Sequence, residues 1–321
     1  MMFRRTLPAA LLAALSAPAL AQDARRRPVT LVHGFAPGGP ADAIARVLAP
    51  PLSQALGQPV VVEPRPGAGG NIAAAAVSRA TPDGSTIGLV TGGHAVTAAF
   101  GRNQNYEPVE GFEPIAQVVR YAFVVAVRAD HPARDLRALL RLAAAAPNAL
   151  QFGSAGTGTT QHLAGELLNA LGEVRMTHIP YRGDAASITA VMAGEVPVAV
   201  TASNVALPFQ ETGQLRLLAV TGPRRTPRLS AVPTVAEAAL PGYDASTWAG
   251  LVAPRGTRPE VVEALNAATN EALRDPAVAA RLGEMLDGEV VGGTPEAFRA
   301  LMTTEIARWR QLIEARRITA D

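Results

Sequence analysis

The chain runs to 321 residues, 48% of them hydrophobic, with 29 glycines, 26 prolines and no cysteine. That composition excludes a disordered chain, a disulfide scaffold and thiolate chemistry, and it suits one large or two ordinary globular domains. All 29 basic residues are arginine, which also removes the Walker-A, Schiff-base and general-base chemistries that need a lysine.

Arg4-Arg5, the apolar run Leu7 to Leu15 and Ala19-Leu20-Ala21 before Gln22 predict a cleaved secretory signal over residues 1–21. The apolar run is too short to span a bilayer, and no later stretch is long and apolar enough to do so. Cleavage removes Arg4 and Arg5 and leaves arginines and acids in balance, so the chain carries no nucleic-acid signature. Arg25-Arg26-Arg27 reads as a solvated tail. With no cysteine near the cleavage site, a lipid-anchored form is excluded.

Val29 to Val32 reads as a strand, followed by the glycine loop Phe35-Ala36-Pro37-Gly38-Gly39-Pro40-Ala41-Asp42. Ile44, Val47, Leu48 and Leu52 then recur at helical spacing up to Gly57, a helix stop. Pro59 to Glu63 is a second strand. Gly67-Ala68-Gly69-Gly70-Asn71 leads into a helical run to Arg79, and Pro82-Asp83-Gly84 turns the chain into a strand over Thr86 to Thr91. Near-continuous apolar strands alternating with helices predict a parallel sheet covered on both faces, hence an α/β fold.

The pattern then repeats. Strand Phe123 to Val127, helix Arg134 to Ala146 and strand Leu150 to Phe152 precede a second glycine loop, Gly153-Ser154-Ala155-Gly156-Thr157-Gly158-Thr159-Thr160, and a helix from Gln161 to Leu171. Strand Arg175 to Pro180, helix Ala185 to Ala193, and strands Val196 to Thr201 and Leu215 to Thr221 follow. Trp248 to Ala253 reads as a strand returning to the first unit, before helices Pro259 to Arg274, Val278 to Leu286 and Pro295 to Arg317, the last with Thr294 as N-cap. The expected division is residues 28–123 plus 248–321 as domain I and 124–247 as domain II, with a cleft between them. Both glycine loops fall at carboxyl ends of strands, where open α/β sheets bind ligands.

A strand, glycine loop and helix together let backbone N–H groups converge at a helix N-terminus, which favours an anion. Taken alone, the first loop is better read as a tight turn with Asp42 as a cap. The second, whose Ser154, Thr157, Thr159 and Thr160 supply hydroxyls, reads equally as a cap and as a carboxylate site. Asn71, His94 and Asn204 also lie at carboxyl-end positions, each by itself more readily explained as loop structure. His33, His94, His131, His162 and His178 form no close metal-ligand pair, and the second loop lacks both the G-x-S-x-G and the G-x-G-x-x-G spacing.

The chain resembles the periplasmic substrate-binding proteins of tripartite tricarboxylate transporters, the Bug family. The resemblance rests on Phe35 to Gly39 with Asp42, Gly67 to Asn71, Pro82-Asp83-Gly84, Gly153 to Gly156 with His162-Leu163-Ala164-Gly165, and Ile179-Pro180-Tyr181-Arg182-Gly183. It continues in Leu215 to Val220, Pro233 to Glu237 and Gly250 to Pro254. It implies a two-domain type II periplasmic-binding-protein fold with a ligand cleft between the domains, which closes on a small carboxylate for delivery to membrane permease subunits. It also implies that Gly38, Gly39 and Asp42 and, opposite them, Ser154, Thr157, Gly158 and Thr159 hold carboxylate groups through amides, hydroxyls and water. With Phe35, Pro37, Asn71, His94, Thr160 and Asn204 these form the candidate ligand-binding set. The chain departs from the family pattern in three ways: Ala36 precedes Pro37 where proline usually precedes alanine, Ala41 replaces a common threonine, and Pro64 replaces a common asparagine.

The expected function is therefore that of an exported, monomeric, non-enzymatic receptor with no cofactor and no metal. Its ligand would be a di- or tricarboxylate, an aromatic acid or an acidic amino acid. The alternatives are a periplasmic α/β enzyme using His94 or Asp42 as acid or base, and a ligand sensor signalling to a membrane partner.

Overall fold

The computed structural model describes residues 27–101 and 104–319. The expected signal segment, residues 1–21, lies outside the described residues. Two mixed sheets organise the chain, one six-stranded and one five-stranded.

The first sheet has the order β11-β4-β10-β3-β1-β2. β1 (Val29–His33) lies parallel to β2 (Val60–Pro64) and β3 (Thr86–Thr91), as the strand-helix alternation predicts. β4 (Phe112–Tyr121), β10 (Thr247–Pro254) and β11 (Glu289–Gly292) complete it in antiparallel pairings, which differs from the expected all-parallel sheet. The reason is topological: β4 leaves this sheet and β10 returns to it, and each runs against its neighbour without a crossover helix.

The second sheet has the order β7-β6-β8-β5-β9. β6 (Gln151–Ser154) is parallel to β7 (Thr177–Pro180) and β8 (Val198–Ala202). β5 (Phe123–Arg128) pairs antiparallel with β8 and with β9 (Leu215–Val220). A single residue, Ala122, separates β4 from β5, so the chain passes directly from one sheet to the other.

Helices cover both sheets in the way local chemistry dictates. α1 (Pro40–Leu56) starts on a proline whose missing N–H costs nothing there and stops at Gly57, which takes the left-handed φ of 65°. Its Ile44, Val47, Leu48 and Leu52 are buried, as their spacing predicts. α2 (Asn71–Ser78) and α3 (Gly92–Ala99) follow β2 and β3. α3 is absent from the sequence reading, because two adjacent glycines argue against a helix. α4 (Leu136–Ala145), α5 (Thr160–Leu171), α6 (Asp184–Ala193), α7 (Ser203–Glu211) and the short α8 (Val235–Ala238) belong to the second unit. α9 (Pro259–Arg274), α10 (Pro276–Leu286) and α11 (Pro295–Arg316) return to the first, and Thr294 caps α11 by accepting the Ala297 N–H at 3.2 Å. No helix among the described residues is long and apolar enough to cross a membrane.

The passage between sheets is pinned by Thr221, which is fully buried. Its Oγ1 accepts the Phe123 N–H at 2.9 Å on the outgoing crossing and lies 3.2 Å from the Ala245 carbonyl on the returning one. A second link lies at the C-terminus of α10. There buried Asp287, at φ 50°, accepts from the Thr226 hydroxyl and from the Arg228 N–H at 3.1 Å, while Ser203 donates to the Leu286 carbonyl at 3.2 Å.

Candidate functional site

Three glycine loops meet, two from the first unit and one from the second. Loop 34–39 and loop 67–70 touch backbone to backbone: a Cβ on Gly34 would lie 2.3 Å from the Gly70 Cα, so no side chain fits there. Loop 67–70 in turn faces the loop that follows β6. A Cβ on Gly69 would lie 3.6 Å from the Gly158 carbonyl oxygen and 3.2 Å from the Thr97 methyl group. Gly69 at φ 64° and Gly158 at φ 77° also occupy backbone conformations that other residues rarely take.

Asn71 sits where these loops meet, with its amide orientation fixed. Its Oδ1 accepts from Tyr106 Oη at 2.7 Å and from Thr97 Oγ1 at 3.1 Å. With both hydroxyls on the oxygen, the NH2 group is the one left to be offered. Neither Tyr106 nor Thr97 carried a sequence signal, since both lie outside any motif.

The first loop is shaped from inside by Asp42, only 4% exposed. Its Oδ2 accepts the Gly38 N–H at 3.0 Å and Arg46 Nε at 2.9 Å, and its Oδ1 lies 3.3 Å from His33 Nε2. Burial works against this charge, but the Arg46 and Gly38 donors overcome it and hold the carboxyl below its usual range. Ala36, Pro37 and Gly38 are exposed at the tip, and a Cβ on Gly38 would meet nothing within 4 Å. Phe35 packs its ring 3.6 Å from the place a Gly70 Cβ would take.

In the second loop most hydroxyls turn inward. Ser154 Oγ lies 2.6 Å from His178 Nε2 and accepts the Gly156 N–H at 3.1 Å. Thr159 Oγ1 donates to the Gly156 carbonyl at 2.7 Å and caps α5 through the His162 N–H at 3.3 Å. Thr160 Oγ1 is 3.2 Å from Thr247 Oγ1 of β10, a buried contact between the two units. Gly92 makes that approach possible, because a Cβ there would lie 2.4 Å from Thr247 Oγ1 and 2.9 Å from Thr160 Oγ1. Thr157 is half-buried, and its hydroxyl has no partner among the described residues. The Gly158 N–H makes a long contact of 3.5 Å with His162 Nδ1.

His94 and Asn204 stand in the first turns of α3 and α7. His94 is buried within α3, with Nε2 held 2.7 Å from the Pro108 carbonyl and its ring stacked on Tyr106 at 5.8 Å. Burial lowers its pKa, so the ring is neutral at pH 7. It lines a cavity of about 10 Å³ with Phe35, Gly69, Gly70 and Thr91, room for about one water. Asn204 stands in the first turn of α7, and its Oδ1 is buried without a partner among the described residues. No cluster of His, Asp or Glu among the described residues could hold a metal ion.

A profile of the tripartite tricarboxylate transporter family receptor matches residues 44–318. A protein from the tcbD-tcbE intergenic region of Pseudomonas sp. (strain P51) is 39% identical over 296 residues, which is 92% of this chain and 88% of that protein. Among solved structures, an R. palustris protein with adipate is 35% identical at a TM-score of 0.85, covering 91% of this chain and 98% of that one. MatC from Rhodopseudomonas palustris with bound malate is 33% identical at a TM-score of 0.82, covering 89% and 99%. The sheet order, the glycine loops and these likenesses agree, and the chain belongs to the tripartite tricarboxylate transporter receptor family.

Proposed function

We propose that this protein is an extracytoplasmic receptor that captures a small carboxylate between its two units and delivers it to the permease subunits of a tripartite transporter. The observation that carries this reading is the meeting of loops from both units at Gly69 and Gly158, beside donors left without internal partners among the described residues: the Asn71 NH2 group, the Thr157 hydroxyl and the Thr160 and Gln161 N–H groups at the start of α5. Neutral donors converging on one point suit a carboxylate whose charge is spread over two oxygens. The relatives solved with adipate and malate support a dicarboxylate as the first ligand class to try.

In this reading residues 28–123 and 248–321 form domain I and residues 124–247 domain II, hinged where β4 passes to β5 and where the chain returns into β10. The receptor works as a monomer in the periplasm, and residues 1–21 are the export signal. Gly38, Gly39 and Asp42 with their neighbours Phe35 and Pro37 form one jaw. Ser154, Thr157, Gly158, Thr159 and Thr160 form the other, and Asn71 lies between them, with His94 at the start of α3 and Asn204 at the start of α7. Catalysis is disfavoured because His94 and Asp42, the two residues proposed as acid or base, are engaged in internal contacts.

A thermal-shift screen of di- and tricarboxylates, aromatic acids and acidic amino acids on the mature protein tests the reading. The expected result is an upward Tm shift that grows with the concentration of one ligand class, since a ligand bound only to the folded form stabilises it by mass action. No shift from any carboxylate at millimolar concentration would overturn it. Recovery of unchanged ligand after long incubation separates a receptor from an enzyme, and pull-down of a permease separates it from a sensor.

A further inference from the structure

The second loop is braced by His178, a residue outside any glycine motif. Ser154 is fully buried at the end of β6, and its Oγ accepts the Gly156 N–H at 3.1 Å and lies 3.2 Å from the Gly156 carbonyl. The same Oγ shares a 2.6 Å hydrogen bond with Nε2 of His178, in the neighbouring parallel strand β7. Gly156 has φ 130°, a conformation that needs support from its surroundings.

His178 is itself held on both faces. Its ring centroid lies 3.9 Å from that of His162 and 5.0 Å from that of Phe152. His162 then stacks on Phe100, at the end of α3 in the other unit, at 6.2 Å and 9°. The row Phe100, His162, His178, Phe152 thus runs from the first unit to the back of the second loop.

We propose that His178 is a positioning residue for ligand capture: held in this row, it fixes Ser154, Ser154 fixes the Gly156 peptide, and the N–H groups and the Thr157 hydroxyl beyond are thereby aimed into the cleft. The inference rests on the reading of this loop as a carboxylate jaw. It explains why Ser154 faces away from the cleft, since the hydroxyl serves the loop's geometry. It also gives the row of rings a role, because displacement of Phe100 when the two units separate removes support from the far side of His162.

Three variants test it. His178→Phe keeps a ring between His162 and Phe152 but removes Nε2, Ser154→Ala removes the next link, and His178→Gln restores a polar group of similar reach. Affinity is read by calorimetry with malate and adipate as probes, and amide hydrogen exchange at Gly156 is read without ligand. H178F and S154A are expected to weaken binding by about tenfold, the usual effect of one lost buried hydrogen bond, and to speed Gly156 exchange, with H178Q recovering most of both. Unchanged Gly156 exchange in H178F and S154A would overturn the proposal, as would faster exchange with unaltered affinity. Because the exchange measurement needs no ligand, a wild-type protein that no carboxylate of the thermal-shift screen stabilises removes the receptor reading, while this relay is still judged on its own readout.

Discussion

At the scale of single residues, the proposed role of Asn71 in meeting ligand charge is tested most directly by Asn71→Asp. Asp at this position keeps an oxygen for Tyr106 and Thr97 but replaces the NH2 group with a second oxygen that bears charge. N71D is expected to lower carboxylate affinity by about 10- to 100-fold, from a lost donor plus repulsion, with little change in Tm; calorimetry beside a melting curve checks both. The histidine pair predicts a pH dependence. Burial pushes His162 down to about 4 and, with its neighbour's help, His178 down to about 3, whereas both take up protons near 6.5 in an unfolded chain. Below 6.5 the unfolded state therefore binds more protons, so stability falls with falling pH from 6.5 to about 4 for His162 and to about 3 for His178. The slope is up to about 1.4 kcal/mol per pH unit for each ring. Urea midpoints at pH 7 and pH 5 are expected to show the loss, and His162→Phe to reduce it. The sequence marked Asn71 and every hydroxyl of the second loop but not the direction each faces. Ser154 and Thr160 turn toward His178 and Thr247, set by packing across strands and between units, which no local pattern encodes, whereas Thr159 turns to Gly156 as a local cap.

At the scale of elements, the glycine loops work through what they omit. Gly158 combines φ 77° with a Cβ position 3.2 Å from the Thr97 methyl group, so Gly158→Ala meets both strain and a neighbour from the other unit. It is expected to lower Tm by a few degrees, since a non-glycine residue in the left-handed region costs about 1 kcal/mol, and to weaken carboxylate binding more than Gly38→Ala, whose added methyl group faces open space. Elements with strong local signals were legible: α9 occupies the expected Pro259 to Arg274, and α11 begins at the expected Thr294-Pro295. β4 escaped notice because Pro114 interrupts its apolar run, and β11 because a short edge strand of mixed exposure has no periodicity to read. α3 and α7 follow β3 and β8 without an intervening loop residue, so the sequence shows no break between strand and helix.

At the scale of the whole molecule, the two sheets are joined by two crossings and by the side chains that tie those crossings together. Thr221 bonds both and so ties them to each other. Thr221→Val keeps the shape but leaves the buried Phe123 N–H without its acceptor, and a loss of about 1 to 3 kcal/mol is expected in urea unfolding, with m unchanged. The Asp287 link lies beside this tie and restrains the units from a second side. The two-unit architecture was legible because strand, glycine loop and helix recur in the same order in both halves. The antiparallel members were not, because they depend on how the chain re-enters a sheet it has left.

Gly92 occupies the narrow space shared by Thr160 of one unit and Thr247 of the other. A methyl group at that position is a doorstop: built on a backbone that tolerates alanine, it presses on both threonines and holds the units apart there, while every other residue of the two jaws is left as it was. Such a receptor, arrested ajar, would reveal whether a membrane partner recognises the protein's surface or its posture, a distinction that removal of the ligand alone cannot make.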